Sequence, residues 1–173
     1  MKNLIKKIFN FFKRKKQVFA LSNNVVRAKI MEFEDRLRNV PGAMVGDCFP
    51  LTHKFVDGAY VREIRVPKGT LLTTKIHKIC HPYFLLKGDV SVLTETGIVR
   101  LKAPYSGITP AGTKRIIYIH EDTVWTTVHV TKEKDLDKIE EEVIANSFEE
   151  LSDENEKTIE FIRTVEGGLI CHG

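Results

Sequence analysis

The sequence predicts a mainly β protein in which an antiparallel sandwich or barrel over residues 47–130 lies between N-terminal helices and C-terminal acidic helices. Three observations carry this expectation. Between Asp47 and Val130, short alternating segments are punctuated by Asp57-Gly58, Gly69, Lys87-Gly88, Glu95 to Gly97, Pro104 to Gly107, Pro110 to Gly112 and Glu121-Asp122. A spacing of roughly 8–12 residues between turns is the sign of an antiparallel sandwich or barrel. On both sides of this body the apolar period changes to that of a helix. Charge is segregated as well. Residues 1–17 carry seven Lys/Arg and no acid, residues 18–130 fifteen against ten, and residues 131–166 five against thirteen, for net charges of +7, +5 and −8. Ends of opposite sign on a mildly basic body point to separate contacts for each end.

Residues 1–17 read as a basic amphipathic helix, with Leu4, Ile5, Ile8, Phe9, Phe11 and Phe12 on one stripe and a Lys-Arg-Lys-Lys run at its end. No apolar run approaches the ~20 residues that span a bilayer, and the closing basic run lacks a cleavage site of the secretory kind. Three occupants are open for this helix: an anionic membrane surface, a protein partner or sister subunit, and nucleic acid, which suits a phenylalanine-rich stripe less well. In the helical region 18–46, Ser22 and Asn23 are N-cap candidates. They open a helix from about Val25 to Arg38, with Val26, Ile30, Phe33 and Leu37 on one stripe, ended by Pro41-Gly42. In the acidic helical region 131–168, Leu136, Ile139, Val143 and Ile144 form a stripe and Ser147 to Glu150 has the form of a capping box. Ile159, Ile162 and Val165 form a last stripe, stopped by Gly167-Gly168. The tail 169–173 carries no functional signal. Three cysteines, an odd number without Cys-x-x-Cys spacing, indicate a reducing, cytoplasmic setting rather than a disulfide framework.

The chemistry concentrates in Val66 to Gly88, VPKGTLLTTKIHKICHPYFLLKG, where His77 and His81 stand four apart. On a helix that spacing shares one face, but Pro82 argues against a helix there. A strand-turn-strand arrangement brings the two imidazoles together near the ends of neighbouring strands; the competing reading is that both cap a turn. No Gly-rich phosphate loop, nucleophile elbow or paired-carboxylate motif is present, so whether the protein is an enzyme stays open.

This stretch and a second one resemble the two motifs of the cupin family. In the first, Gly88 is the closing glycine, His81 stands where the family has glutamate, His77 falls on the second histidine and Lys75 on the first. The second is present as Pro110-Ala-Gly112-Thr-Lys-Arg115, with arginine in the place of a histidine ligand. The resemblance covers roughly residues 60–130. It implies a cupin-like antiparallel jelly-roll barrel, with the glycine and proline frame matched better than the ligands. Within that family, GTKRIIYIHEDTVWTTVH is similar to small proteins encoded by tailed bacteriophages, which implies a host cytoplasm or a virion-associated location, while a peripheral membrane location follows from the basic head alone.

A hairpin around His120 to Thr123 would set Arg115 opposite His129, Ile117 opposite Thr127 and Ile119 opposite Trp125, sharing faces pairwise. His129 then joins His77 and His81 as a third metal ligand, while a slip of one residue would turn it outward. Three neutral imidazoles suit Zn, Fe, Ni or Cu. Arg115 offers a planar fork to a small anionic ligand, carboxylate or phosphate, with Lys75 and Tyr83 as further ligand-binding candidates; the structural alternative pairs Arg115 with Glu63 or Asp89. Cys80 opposes the histidines in strand parity, His120-Glu121-Asp122 reads as turn chemistry or an oligomer contact, and His53 and His172 have no evident partner. Two functions compete: a divalent-metal-binding cupin, and a non-catalytic phage binding or virion-associated protein in which the barrel is scaffold and the charged ends make contacts.

The basic head generates a first prediction. Cations near an anionic surface contribute about 1 kcal/mol each, and salt screens that part while leaving the apolar face. Deleting residues 1–17 should leave the melting temperature of the body unchanged and abolish liposome co-sedimentation at low salt. Unfolding on deletion would place the helix in the core instead.

Overall fold

A computed structural model of the chain describes residues 23–94 and 97–151. In chain order its elements are helix α1 (Asn23–Arg38), strands β1 (Leu51–Val56), β2 (Ala59–Val66), β3 (Leu71–Thr73), β4 (Ile76–His77), β5 (His81–Thr94), β6 (Gly97–Lys102), β7 (Tyr105–Thr109) and β8 (Ile116–Val130), helix α2 (Leu136–Val143), strand β9 (Ile144–Ala145) and a 3-10 turn at Phe148–Glu150. The protein is mainly β and antiparallel, as the turn spacing predicts. The expected basic helix at residues 1–17 and the last stripe at Ile159 to Val165 lie outside the described residues.

The main sheet has seven strands in the order β1-β2-β8-β5-β6, with β3 on β8 and β7 on β5. β2 and β3 successively line one edge of β8, joined through Gly69 N–H donating to Ile119 O and Ile119 N–H donating to Thr70 O. β7 and β6 line the other edge of β5 in the same way, with the cis Ala103–Pro104 peptide between them. Among the described residues β1 pairs only with β2 and β6 only with β5, so the expected closed barrel is an open antiparallel sheet. Its β1 edge carries exposed Thr52 and Lys54, side chains that discourage further pairing.

One correction concerns Lys87-Gly88, expected as a turn. β5 runs straight through it, and the register with β8 shifts between Leu85 and Val90. On β8 the core-facing positions Ile117, Ile119, Thr123 and His129 are odd, with Thr126 buried as well, whereas on β5 the core-facing positions change from His81, Tyr83 and Leu85 to Val90 and Val92, beside which Asp89 and Ser91 are also buried. Between Leu85 and Val90 β5 advances five residues while β8 advances six, from Trp125 to Ile119, so the extra residue of the bulge that this change of parity requires sits on β8, where Thr123 and Asp122 lie opposite Gly88. Gly88 has φ +106°, and a Cβ there would run into Thr123 Oγ1 and lie 2.9 Å from Thr123 Cα. The bulge keeps one core on one face: Val66, Tyr83, Leu85, Val90, Val92, Leu101, Ile117 and Ile119, with Phe49, Ile64, Leu72, Ala103 and Trp125 packed against it.

A second correction concerns the hairpin expected around His120 to Thr123. β8 is continuous, paired with β5 from Ile116 to Thr127 and with β2 from Thr123 to Val130. The segment contains no Gly, Pro or Asn to supply a turn backbone. Asp122 spends its turn-forming carboxylate elsewhere, accepting from Lys68 N–H at 2.9 Å in the neighbouring Pro67 to Thr70 turn.

Outside the sheet, α1 starts near the expected cap and buries Ile30. It docks through Glu34, which accepts from Thr73 Oγ1 at 2.7 Å and pairs with buried Lys114 at 3.1 Å. α2 is capped by Asp135, whose side chain accepts from the Asp137 and Lys138 N–H groups. Its Ile139 and Val143 pack with Ile144 on Tyr60, while Leu136 is exposed. The capping box expected at Ser147 is a 3-10 turn without a side-chain cap; Glu150 accepts instead from Asn146 N–H.

Gly88→Ala combines a left-handed backbone with a backbone clash, so it should cost about 3 kcal/mol. Urea unfolding would show this as a lowered midpoint; an unchanged midpoint would mean that the bulge relaxes freely.

Candidate metal centre

The site begins with one row of the sheet. β2 pairs Tyr60 with His129, and β7 pairs Thr109 with His81. The β5–β8 register Leu85↔Trp125, Tyr83↔Thr127, continued by two residues, sets His81 beside His129. Side chains opposite one another on one face lie within contact distance, and the ring centroids of His81 and His129 are 4.4 Å apart. Tyr60 stacks on the far side of His129 at 6.0 Å and hydrogen-bonds His53 Nδ1 at 2.7 Å, so His53 has a partner that the sequence did not reveal.

The third histidine arrives from a different layer. His77 and His81 were expected on adjacent strands of one hairpin, but β4 pairs with β9, Ile76↔Ala145 and His77↔Ile144, in a separate two-stranded sheet. Lys78 N–H donates to Val143 O at 2.8 Å, and Gly112 N–H to His77 O at 2.7 Å. The acidic C-terminal region thus supplies a strand to the site, and the Pro110 to Gly112 turn anchors it from the other side. The His77 ring lies 4.2 Å from His81 and 5.6 Å from His129. Convergence of the three imidazoles stands as expected, although the hairpin that suggested it does not form.

The three ligand atoms lie within 4.8 Å of one another. Tetrahedral coordination with bonds of about 2.05 Å requires about 3.4 Å between nitrogens, so ring rotations of about 1 Å close the set. His81 Nδ1 faces Ile79 O at 3.2 Å; a carbonyl only accepts, so Nδ1 carries the proton and Nε2 keeps the lone pair. His129 Nε2 meets Thr127 Oγ1 at 3.2 Å, and buried His77 Nδ1 has no hydrogen-bond partner. Burial, then His81 and His129, holds His77 down to about 2. Burial, then His81, holds His129 down to about 4, and burial lowers His81. All three are therefore neutral near pH 7, the form that binds a metal. The donor set, its neutrality and the orphaned nitrogen fit a divalent transition ion.

Around the cluster, Arg115 is buried and donates from Nη1 to Thr109 Oγ1 at 3.0 Å, with its guanidinium 5.2 Å from the centre of the Tyr83 ring. Tyr83 is buried and stacks on Trp125 at 4.8 Å, its hydroxyl lying over Gly107, where a Cβ would clash. Arg115 and Tyr83 thus fall beside the row of histidines. Lys75 does not join them: its amine meets Glu140 on α2 at 2.6 Å, and the side chain is 43 % exposed. Glu63 and Asp89, the structural partners considered for Arg115, pair with Arg65 and Arg100. Cys80 is half-buried and accepts from Ala111 N–H at 3.3 Å. His120 hydrogen-bonds Ser91 at 2.7 Å and meets Tyr118 edge-on.

No family model and no curated protein sequence matches the chain. Solved structures that are similar include the cupin domain of Schizosaccharomyces pombe Cnp3, at 16 % identity over 54 % of this chain and 67 % of that one, TM-score 0.42. A cupin-2 domain containing protein from Shewanella frigidimarina matches at 9 % identity over 61 % and 98 %, TM-score 0.41. An acetylacetone dioxygenase from Acinetobacter johnsonii matches at 20 % identity over 47 % and 58 %, TM-score 0.39. With scores below 0.5, none of them tells what the histidines of this chain do.

Acid should act on the metal-free protein through His129 and His77. Both have folded values below the ordinary 6.5, so below that pH the unfolded chain binds protons that the folded chain refuses. Stability is full above about pH 6.5 and falls as the pH drops toward 4. The urea midpoint should decline over that window, and His129→Gln should flatten the decline. A midpoint independent of pH between 7 and 4.5 would contradict this electrostatic picture.

Proposed function

We propose that the chain is a cupin-like protein that binds a divalent transition metal through His77, His81 and His129. The observation that carries this reading is the meeting of three neutral imidazoles from β4, β5 and β8, His81 and His129 buried and His77 half-buried with an orphaned, buried Nδ1. A structural role alone does not account for that nitrogen, because a buried polar atom without a partner costs about 1–3 kcal/mol. Zn, Fe, Ni and Cu all accept three imidazoles. When bound, such an ion supplies Lewis acidity to whatever occupies its open positions. The residues of the chain fix the ring orientations through Ile79 O and Thr127 Oγ1, exclude water by burial, and place a guanidinium beside the site. Buried acids, the natural proton acceptors, are committed elsewhere among the described residues: Glu34 to Lys114 and Asp89 to Arg100. Binding rather than a particular reaction is therefore proposed.

No described helix is long and apolar enough to cross a membrane. Neither the fold nor the similar structures bear on the likeness of Gly112 to His129 to phage-encoded proteins. The competing reading, in which the sheet is only a scaffold between charged ends, predicts a protein without metal.

Elemental analysis after purification without added metal should find close to one transition ion per chain. His77→Ala, His81→Ala and His129→Ala should each weaken binding more than tenfold, while His120→Ala leaves it unchanged. Metal content that survives His129→Ala would defeat the three-histidine assignment.

A further inference from the structure

Arg115 presents a problem of charge that the metal reading deepens. Its side chain is 9 % exposed, its Nε has no hydrogen-bond partner, and Nη1 reaches only the hydroxyl of Thr109. Its backbone is fixed on both sides by Thr74, whose Oγ1 accepts from Arg115 N–H at 2.9 Å and whose N–H donates to Arg115 O at 3.0 Å. The guanidinium itself is held by Thr109 Oγ1 and by the Tyr83 ring. Contact with the Tyr83 ring offsets part of the desolvation, but an aromatic face does not neutralise a cation.

Nothing else near by does so either. The two buried acids among the described residues, Glu34 and Asp89, are bound to Lys114 and Arg100. Imidazoles ligate in the neutral form and bring no negative charge. An ion of charge +2 on His77, His81 and His129, with Arg115 alongside, thus makes a buried site of charge +3 without a protein anion. A buried charge is tolerated when it is paired and hydrogen-bonded, so the counter-charge has to come from a ligand.

We infer that the site takes a small planar oxyanion, a carboxylate or hydrogencarbonate, with one oxygen on the metal and the other received by the Nε side of the Arg115 fork. A guanidinium edge gives a carboxylate oxygen charge-assisted hydrogen bonds of fixed direction. Size follows from burial: His81, His129, Thr109 and Tyr83 are all less than a tenth exposed, and the stacked Tyr83–Trp125 pair walls one flank, which favours formate or acetate over a larger acid. A phosphate dianion would need further cationic donors, and the neighbouring lysines are committed, Lys114 to Glu34 and Lys75 to Glu140. Only the oxygen on the metal rests on the metal reading; the contact to Arg115 does not.

The test uses the full chain loaded with Co2+, whose visible spectrum reports an anion entering the coordination sphere. Titration with formate or acetate should change the spectrum saturably at millimolar concentration or below, whereas phosphate and chloride at the same concentration should not. Arg115→Gln should weaken acetate binding at least tenfold while Co2+ affinity changes less than threefold, and Arg115→Lys, which keeps the charge but loses the fork, should not restore it. Because Arg115 is buried, Thr109→Val provides a milder second variant that frees Nη1 and should weaken acetate binding severalfold in a protein of unchanged circular dichroism. Acetate binding that is absent, or equal in the wild type and Arg115→Gln, overturns the proposal, and so does phosphate binding more tightly than acetate. If Co2+ fails to bind the wild type, the metal reading falls by itself. Calorimetric acetate binding to the metal-free protein that disappears in Arg115→Gln would then uphold the Arg115 contact, and its absence would overturn it.

Discussion

The pairing of β5 with β8 governs where everything else can go. Both strands are long, both bury one face, and each pairs along both of its edges, so a slip of one residue would exchange core and solvent faces over the whole sheet. The bulge opposite Gly88 reconciles them: without the extra residue that β8 carries there, either His81, Tyr83 and Leu85 or Val90 and Val92 would point away from the core. Glycine is required there because the backbone of Thr123 occupies the space that a Cβ would fill. The row that places His129 next to His81 is the far end of this same ladder. The geometry of the site is thus a consequence of the register of the core.

The site also depends on an arm. His77 sits on a strand of two residues, too short to be stable alone, and is held by β9 behind α2. The Lys75–Glu140 and Lys78–Glu150 ion pairs across this junction are partly exposed, and such pairs contribute about 0–1 kcal/mol each. Burying Ile139 and Val143 on Tyr60 contributes roughly 1.5–3 kcal/mol for each side chain. Apolar packing therefore holds the arm, and the ion pairs set its alignment. Since Tyr60 also stacks on His129, the same contact supports two of the three histidines.

Two sets of polar groups in the interior contrast. Glu34, Lys114 and Thr73 form a closed network that ties α1 to the sheet. The histidines and Arg115 form an open one, with His77 Nδ1 and Arg115 Nε unpartnered. Lys114 and Arg115 are neighbours in sequence and point in opposite senses, one to the helix and one to the site. The alternation of an extended chain brings about that division of labour.

Much of this was legible in local patterns. Turn residues at Asp57-Gly58, Gly69 and Pro110 to Gly112, the helical stripe around Ile30 and the apolar pair Ile139 and Val143 each report a preference set by a few neighbouring residues. His77, His81 and Arg115 stood out by spacing and by their places in the two motifs, and His129 by a hairpin count that put it opposite Arg115. What local pattern could not supply was pairing over distance. A bulge at Gly88 and a turn at Gly88 have the same composition, and nothing in His120 to Thr123 says that the strand continues except its lack of Gly, Pro and Asn. The partnership of β4 with β9 joins residues almost seventy positions apart and rests on two residue pairs. His129 reaches the other histidines through the β5–β8 register and not through a local hairpin, and Lys75 is drawn to Glu140 on a helix outside the sheet. Each of these depends on which segments come to share a core, which is a property of the folded chain as a whole because apolar burial is indifferent to sequence separation.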